Sequence, residues 1–231
     1  KSKTFLFNDD CLKVMKSLED KLIDITITSP PYNLGNKHHT GNNYHQAYDD
    51  DLPEDIYQKN QIDVLNEVFR ITKDTGSLFY NHKNRITPYE WLLKTNWIIK
   101  QELVWFNRSQ NFDKIRFYPM TERVYWLVKS PKTKLHNVIN HHDLFDTKDW
   151  KPVGTKNNHT RAFPEKLVED ILKCFEDSQT VLDCYMGSGT TGLVSRTMNK
   201  NFLVEQYKDD KKINISHNYL SEQFLDYKKI F

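Results

Sequence analysis

The sequence has few of the features that mark secreted or membrane proteins. Its three cysteines, Cys11, Cys174 and Cys184, are an odd number without paired spacing. This pattern argues against a disulfide framework and favours a reducing compartment. No apolar run approaches the roughly 20 residues that a membrane span requires, and Lys1 to Asp10 shows no secretory signal pattern. We therefore expect a cytoplasmic protein without a membrane partner.

The chain also lacks an excess of charge of one sign. Its formal net charge is +2 over 231 residues, so overall charge identifies no nucleic-acid partner, and any basic surface must be local. Hydrophobic residues make up 38% of the chain, which is enough for a core. We expect residues 1–231 to form a single domain.

Short β-branched or aromatic runs alternate with segments of helical periodicity. The predicted strands are Thr4–Phe7, Ile23–Ile27, Gly76–Tyr80, Ile98–Phe106, Glu122–Lys129, Val181–Tyr185 and Phe202–Val204. The predicted helices are Cys11–Leu18, Ile56–Phe69, Tyr89–Leu93, Phe163–Phe175, Thr190–Met198 and Ile213–Leu225. This alternation predicts an α/β fold with a twisted, mostly parallel sheet and helices on both faces, which binds ligands at the carboxyl ends of its strands.

A strand, a glycine turn and a helix start follow one another in Val181–Gly192, which reads VLDCYMGSGTTG. Glycines let a ligand approach the backbone, and a helix N-terminus offers free amide donors. The phosphate loop of NTPases does not fit, because Thr190 and not lysine follows Gly189. The spacing of Gly187, Gly189 and Gly192 matches the dinucleotide fingerprint. An ordinary strand-to-helix turn stays open as the alternative.

A second unusual segment, Thr28–Asn33, reads TSPPYN and directly follows a predicted strand. Pro30 and Pro31 stiffen the backbone and remove two amide donors, so rigid carbonyls and the Ser29 hydroxyl are left as acceptors for an amino group. Tyr32 supplies a flat face on which a planar base can stack. The alternative interpretation is a rigid turn that only ends a strand.

Taken together, the two segments resemble the amino-methylating DNA methyltransferases (N4-cytosine/N6-adenine) of bacterial restriction–modification systems. Ser-Pro-Pro-Tyr comes first and the glycine turn comes last, an order similar to that of the permuted β group of the family. The resemblance covers most of the chain. Its further matching segments are Asn8–Leu12, Gly76–Tyr80, Leu103–Phe106 and His159–Leu167.

The resemblance implies a catalytic turn and a site for S-adenosyl-L-methionine. The turn comprises Ser29, Pro30, Pro31 and Tyr32. The implied cofactor-binding residues are Asp9, Asp10, Phe163, Asp183, Tyr185, Gly187, Ser188, Gly189, Thr190, Thr191 and Glu205. Glu205 is the candidate for the ribose hydroxyls, with Gln206 as the alternative. The chain departs from the family pattern in having Cys184-Tyr185 where Pro-Phe is usual, and in lacking a glycine after Phe202.

The resemblance also implies a mechanism. The target base leaves the DNA stack, because its amino group is unreachable inside a duplex. Tyr32 then stacks on the base, while the Ser29 hydroxyl and the Pro30 carbonyl accept hydrogen bonds from the amino group. The nitrogen attacks the sulfonium methyl in line, without a metal or a covalent enzyme intermediate.

The family resemblance favours cytosine N4 as the target, because serine before Pro-Pro more often accompanies cytosine enzymes. Adenine N6 is the alternative, since Asn33 after Tyr32 also occurs in adenine enzymes. A catalytically silent nucleic-acid-binding relative is the alternative of another class, and the intact motifs argue against it. Methylation of RNA or of a small molecule is disfavoured by the order of the motifs.

Basic and aromatic residues cluster in the central third of the chain, where phosphate contacts are expected. The candidate DNA-binding residues are Asn33, Arg108, Lys114, Arg116, Lys132 and Lys134. Residues 130–158 occupy the place where the family keeps its target-recognition region, which would here be a short insert. The expected partner is double-stranded DNA, and the family resemblance adds a cognate restriction endonuclease and a homodimer as candidates.

The histidines His38, His39 and His45 raise the question of a metal site. Their spacing matches no zinc pattern, and no cysteine lies near them. We therefore expect no metal, and we interpret this polar segment as part of a loop that closes over DNA or cofactor.

Overall fold

The computed structural model describes residues 2–35, 51–83, 88–108, 117, 119–137, 142–146 and 164–206. The strands in this part are β1 Thr4–Asn8, β2 Ile23–Thr28, β3 Thr72–His82, β4 Ile98–Phe106, β5 Thr121–Val128, β6 Leu144–Asp146, β7 Thr180–Asp183 and β8 Asn201–Gln206. The helices are α1 Cys11–Lys16, α2 Glu54–Ile71, α3 Tyr89–Leu92, α4 Glu165–Cys174 and α5 Thr190–Thr197.

The strands form one eight-stranded sheet in the order β1-β8-β7-β2-β3-β5-β4-β6. From β1 to β3 every neighbouring pair is parallel, so the carboxyl ends of these five strands lie along one edge. β5 pairs antiparallel with both β3 and β4, and β6 pairs parallel with β4. The antiparallel pairing brings the first residues of β5 next to the last residues of β3.

Two hydrophobic cores cover the two faces of the sheet. The first core joins Met15 of α1, Leu65 of α2 and Trp91 of α3 to the side chains of one face. The second joins Ile171 of α4 and Val194 of α5 to the other face. The predicted α/β class, with a mostly parallel sheet and helices on both faces, is thereby confirmed. In the described part of the chain, no helix combines the length and the low polarity that crossing a membrane requires.

Local chemistry explains where the elements that flank the site begin and end. Asp10 caps α1, because its Oδ1 accepts the Lys13 backbone amide at 2.9 Å. Pro30 has no amide hydrogen to continue a ladder, and β2 ends at Thr28. Gly189, with φ of 80°, starts α5 in a left-handed conformation that glycine adopts at little cost.

Several boundaries differ from the predicted ones. β7 ends at Asp183, two residues before the predicted end at Tyr185, because the chain turns at Cys184. β3 extends two residues beyond Tyr80, to His82. β6 was not predicted, since its residues Leu144–Asp146 are partly exposed at the sheet edge and lack a strong apolar pattern. The predicted helix Ile213–Leu225 lies outside the described residues.

Gly192 allows α5 to approach β8 closely. A Cβ atom built on Gly192 would lie 2.4 Å from Cε1 of Phe202, a buried ring of β8. Alanine is ordinarily better than glycine inside a helix, by up to about 1 kcal/mol. Here overpacking against a buried ring outweighs that gain, at a typical cost of about 1–3 kcal/mol.

We therefore expect Gly192→Ala to lower the free energy of unfolding by up to about 2 kcal/mol, which is the overpacking cost less the helix gain. The Phe202→Leu substitution should weaken the effect, because the smaller side chain makes room for the new methyl group. Urea unfolding of both single variants and of the double variant measures this coupling. A Gly192→Ala protein more stable than the wild type would contradict the packing argument.

Candidate active site

The loops predicted to carry chemistry all leave the same edge of the sheet. Asp9 and Asp10 follow β1, Cys184–Gly189 follow β7, and Ser29–Asn33 follow β2. β2 and β7 are direct neighbours, so the Ser-Pro-Pro-Tyr turn and the glycine turn emerge side by side. Because α/β sheets bind ligands at the carboxyl ends of their strands, this edge is the candidate active site.

The Ser-Pro-Pro-Tyr turn is held by a hydrogen-bond network beneath it. The Tyr32 hydroxyl lies 2.7 Å from the Ser29 Oγ, and it donates to Oδ1 of Asn81 at 2.6 Å and to Oε2 of Glu122 at 3.2 Å. The Ser29 hydroxyl also reaches the Asn81 Oδ1, at 3.1 Å. Burial and the charge of Glu122 raise the pKa of Tyr32 well above its ordinary value, so the phenol stays protonated.

Aromatic and basic side chains surround the Tyr32 ring. The His82 ring centroid lies 5.0 Å from that of Tyr32, at an interplanar angle of 59°. The Lys83 ammonium lies 5.8 Å from the Tyr32 centroid. His82 is itself oriented by the Tyr57 hydroxyl at 2.8 Å from its Nε2. The ring of Tyr32 is thus fixed in place at the half-buried surface of the turn.

The turn backbone has its own support. The Tyr57 hydroxyl of α2 lies 2.8 Å from the Pro31 carbonyl oxygen, to which it donates. Asn33 follows the turn with φ of 53°, a conformation that asparagine tolerates better than most residues. Its amide oxygen accepts the Leu52 backbone N–H at 2.7 Å, and its Nδ2 donates to the Leu52 carbonyl at 2.9 Å. This geometry gives Asn33 a structural role, and its contact with DNA stays a prediction.

Asp183 links the two turns. Its carboxylate is only 2% exposed, and its Oδ1 accepts the Thr28 hydroxyl at 2.8 Å and the Tyr185 backbone N–H at 3.1 Å. Burial raises the pKa of Asp183 to about 6, against the opposing effect of these hydrogen bonds. The carboxylate predicted to bind cofactor therefore also fastens the end of β2 to the end of β7.

The glycine turn presents an open backbone surface. Gly187 and Gly189 have φ of 52° and 80°, and a Cβ atom built on Gly189 would meet no atom of the described residues within 4 Å. Among the described residues, no side chain caps the N-terminus of α5. The hydroxyls of Ser188 and Thr190 lie 2.8 Å apart. Conformation rather than crowding therefore requires glycine at 189, and α5 directs amide donors toward the open side.

The other predicted cofactor residues occupy varied surroundings. Asp9 pairs with the Lys13 ammonium at 2.5 Å, and Asp10 is occupied as the cap of α1. Tyr185 packs against the first core, and Thr191 is buried with its hydroxyl 3.4 Å from the Ile27 carbonyl oxygen. Their contact with cofactor stays a prediction.

Glu205 reaches the same edge through β8. It is the penultimate residue of that strand and pairs with Phe7 of β1, while the residue before it pairs with Asp183. This position lies one strand away from the glycine turn. Phe163, the remaining predicted cofactor contact, lies outside the described residues.

The predicted DNA-binding cations fall into three groups. Arg108 makes a bidentate pair with the Asp146 carboxylate, with its Nη2 2.9 and 2.8 Å from the two oxygens, and stacks on the Phe106 ring. Lys132 and Lys134 are exposed, as DNA contacts require. Lys114, Arg116 and the histidines of residues 38–45 lie outside the described residues. Among the described residues, no cluster of His, Cys, Asp or Glu could hold a metal ion.

Sequence reasoning missed the residues beneath the catalytic turn: Asn81, His82, Asn107 and Glu122. A strand signal was present for the first two, since they directly continue the buried run Gly76–Tyr80. Glu122 gave no local signal, because a charged residue at the start of a strand is common. Its place in the site follows only from the antiparallel pairing of β5 with β3.

Comparison with known proteins identifies the family of this chain. A family model described as DNA methylase, for N6 and N4 methyltransferases, matches residues 23–216. The type II methyltransferase M.ScaI of Streptomyces caespitosus is 23% identical over 90% of this chain and 79% of its own length. The type II methyltransferase M.MwoI of Methanothermobacter wolfeii is 32% identical over 82% of this chain, which spans 30% of that protein.

Solved structures show the same fold. The cytosine-N4-specific PvuII DNA methyltransferase matches with a TM-score of 0.76 at 18% identity, covering 99% of this chain and 90% of its own. The complex of M1.HpyAVI with SAM matches with a TM-score of 0.63 at 20% identity, covering 93% and 99% of the two chains.

The buried Asp183 carboxyl predicts a specific pH dependence of stability. Its folded-state pKa of about 6 lies above the ordinary value of 3.8 for an aspartate carboxyl, so it contributes stability below pH 3.8 that is lost as the pH rises through 6. A shift of this size corresponds to roughly 3 kcal/mol. In Asp183→Asn, the amide oxygen can still accept from Thr28 and Tyr185, and no charge is buried.

We expect the stability of Asp183→Asn relative to the wild type to increase between pH 4 and pH 8, by up to roughly 3 kcal/mol. Denaturant unfolding across this range measures the difference. The control is Glu19→Gln, which changes an exposed carboxylate between α1 and β2. A difference between Asp183→Asn and the wild type that does not change with pH would contradict the assignment.

Proposed function

Since the chain belongs to the N6/N4 DNA methylase family, whose model spans residues 23–216, we propose that it transfers a methyl group from S-adenosylmethionine to the exocyclic N4 of a flipped cytosine in double-stranded DNA. The observation that carries the proposal is the side-by-side placement of the Ser29–Tyr32 turn and the Gly187–Gly189 turn on neighbouring strands. A base held by the first turn lies next to a cofactor held by the second.

The residues around the glycine turn fit S-adenosylmethionine. The open space at Gly189 and the uncapped amides of α5 suit the carboxylate of the methionine moiety. Glu205 would bind the ribose hydroxyls from the neighbouring strand. When bound, the cofactor supplies an electrophilic methyl group on a sulfonium sulfur. Similar support comes from M1.HpyAVI, whose structure is named as a complex with SAM.

The catalytic turn orients the target amino group. Tyr32 would stack on the flipped base, because its ring is already fixed by His82 and by the hydrogen bonds of its hydroxyl. The Ser29 oxygen and the Pro30 carbonyl would accept the two amino hydrogens and so turn the nitrogen lone pair toward the methyl group. Rate acceleration then comes from proximity and from acceptors that are in place before reaction.

The choice of cytosine rests on Ser29 at the first position of the turn. The PvuII enzyme, whose name states cytosine-N4 specificity, has a similar fold. Adenine N6 is the second candidate, favoured by Asn33 after Tyr32.

The curated relatives M.ScaI and M.MwoI are named as type II methyltransferases. We therefore place this chain in a restriction–modification system with a cognate endonuclease. Exposed Lys132 and Lys134 at the start of residues 130–158 would contact phosphates near a short target-recognition segment. A homodimer is a further part of this proposal.

The direct test is to incubate the protein with methyl-labelled S-adenosylmethionine and mixed-sequence duplex DNA, digest the DNA to nucleosides and identify the labelled product by mass spectrometry. Labelled N4-methylcytosine is the expected result. N6-methyladenine would keep the mechanism and overturn the choice of base. Cofactor binding without label in DNA would overturn the proposal, and parallel RNA and single-strand reactions would locate the true substrate.

Ser29→Ala should lower the methyl-transfer rate by roughly 10²-fold, the usual effect of removing one preorganised hydrogen-bonding group from a transition state. Affinity for S-adenosylmethionine, measured by calorimetry, should not change. Ser17→Ala is the matched control, because this exposed serine bonds the Val14 carbonyl at the far end of α1. A Ser29→Ala variant as fast as the Ser17→Ala variant would exclude the serine from the reaction.

A further inference from the structure

Methylation of an amino group releases a proton, and the structure contains a carboxylate that can receive it. Glu122 is 6% exposed and is the second residue of β5, directly beneath the catalytic turn. Its Oε1 accepts the Asn107 side-chain amide at 3.0 Å and lies 3.8 Å from the Lys83 ammonium. Its Oε2 faces the Tyr32 hydroxyl at 3.2 Å. One oxygen is thus held in place while the other faces the turn.

The hydroxyl hydrogens above Glu122 have a preferred direction. Ser29 and Tyr32 each carry one hydroxyl hydrogen, and their oxygens lie 2.7 Å apart, so one of them donates to the other. Beneath Tyr32 lie Asn81 Oδ1 and Glu122 Oε2, two oxygens that accept hydrogen bonds. Asn81 is oriented by its Nδ2, which donates to the Arg123 carbonyl at 3.0 Å.

Because of these two acceptors, the Tyr32 hydroxyl hydrogen points toward Asn81 and Glu122 rather than toward Ser29. Ser29 then donates to Tyr32 at 2.7 Å or to the Asn81 Oδ1 at 3.1 Å. In both arrangements Tyr32 donates no hydrogen to Ser29, so the lone pairs of the Ser29 oxygen stay available to an amino hydrogen. In the opposite arrangement, Tyr32 would donate to Ser29 and occupy one of those lone pairs. The buried acceptors therefore prepare Ser29 to receive an amino hydrogen.

We propose that Glu122 is a positioning residue that takes up, through the hydroxyls of Tyr32 and Ser29, the proton lost by the target amino group. The inference rests on the proposed methyltransferase function. The amino nitrogen uses its electron pair to form the N–CH₃ bond, and the C–S bond breaks with its electrons left on sulfur. The nitrogen proton passes to Ser29 Oγ, the Ser29 proton to Tyr32, and the Tyr32 proton to Glu122 Oε2.

Charges balance in this sequence. The sulfonium becomes a neutral thioether, and the Glu122 carboxylate becomes a neutral acid. Of the three groups that contact the Tyr32 hydroxyl, the carboxylate is the basic one, because amide and serine oxygens hold an added proton weakly. After the product leaves, the proton passes back from Glu122 through the Tyr32 and Ser29 hydroxyls. It is then released to water at Ser29, which is half-buried.

The electrostatics of the cluster suit this role. Burial raises the pKa of Glu122 above its ordinary value, and the charge of Lys83 opposes the shift. A carboxylate with a raised pKa is a better proton acceptor near neutral pH. The titratable groups that face it are Lys83 at the end of β3 and the Tyr32 phenol, on which His82 packs.

The test uses single-turnover methyl transfer to duplex DNA as a function of pH. Glu122 accepts a proton only when ionised, so the wild-type rate should rise with pH through its raised pKa and then level off. Glu122→Gln should lower the plateau by about 10²-fold and remove the acidic limb. Affinity for S-adenosylmethionine should stay unchanged, because Glu122 lies outside the glycine turn.

Tyr32→Phe provides an independent second variant, since it keeps the stacking ring and removes the hydroxyl that connects Ser29 to Glu122. If Tyr32 and Glu122 act in one proton path, the double variant should be no slower than the slower of the two single variants. Glu102→Gln is the matched control. Its carboxylate also accepts a tyrosine hydroxyl, that of Tyr89 at 3.1 Å, but on β4 away from the turn.

Two results would overturn the relay while leaving the methyltransferase function intact. The first is a Glu122→Gln protein that is as fast as Glu102→Gln and keeps the acidic limb. The second is a double variant whose loss equals the product of the two single losses. A wild-type protein that labels no DNA would overturn the proposed function and, with it, the relay.

Discussion

The hydrogen bond from the Thr28 hydroxyl to the buried Asp183 carboxylate holds together the two strands on which the site depends. β2 and β7 are 155 residues apart in the chain at this contact, yet they are neighbours in the sheet. Neighbouring strands lie about 4.8 Å apart. Because the Ser-Pro-Pro-Tyr turn follows Thr28 and the glycine turn follows Asp183, strand spacing sets the distance between the two turns.

A second constraint is the burial of charge beside each turn. Asp183 and Glu122 are 2% and 6% exposed, and burial raises the pKa of both. An ionised carboxylate is costly in the interior unless hydrogen bonds stabilise it. Each therefore lies at the centre of a donor set: Thr28 and the Tyr185 amide in one case, Tyr32 and Asn107 in the other. The same bonds that offset the burial cost make the turns rigid before substrate arrives.

Prediction succeeded where local chemistry is decisive. The double proline ends β2, and apolar spacing marked α2 over most of its length, because these signals act within a few residues. Prediction failed where the structure depends on contacts between residues that are distant in the sequence. β6 is a strand through its pairing with the edge of β4. The Asn33 side chain bonds the backbone of Leu52, which lies 19 residues further along the chain. Neither contact can be predicted from the local sequence around the residues that form it.

The sequence by itself determined the two motifs, their order and the α/β class, because each motif is a continuous run whose residue types have a local physical meaning. Only the tertiary structure decided what lies beneath the catalytic turn. Tyr32 and Glu122 are separated by 90 residues, and they meet because β5 runs antiparallel to β3. Strand pairing is selected by the packing of whole faces rather than by local propensity, so a contact that depends on it appears only in the folded chain.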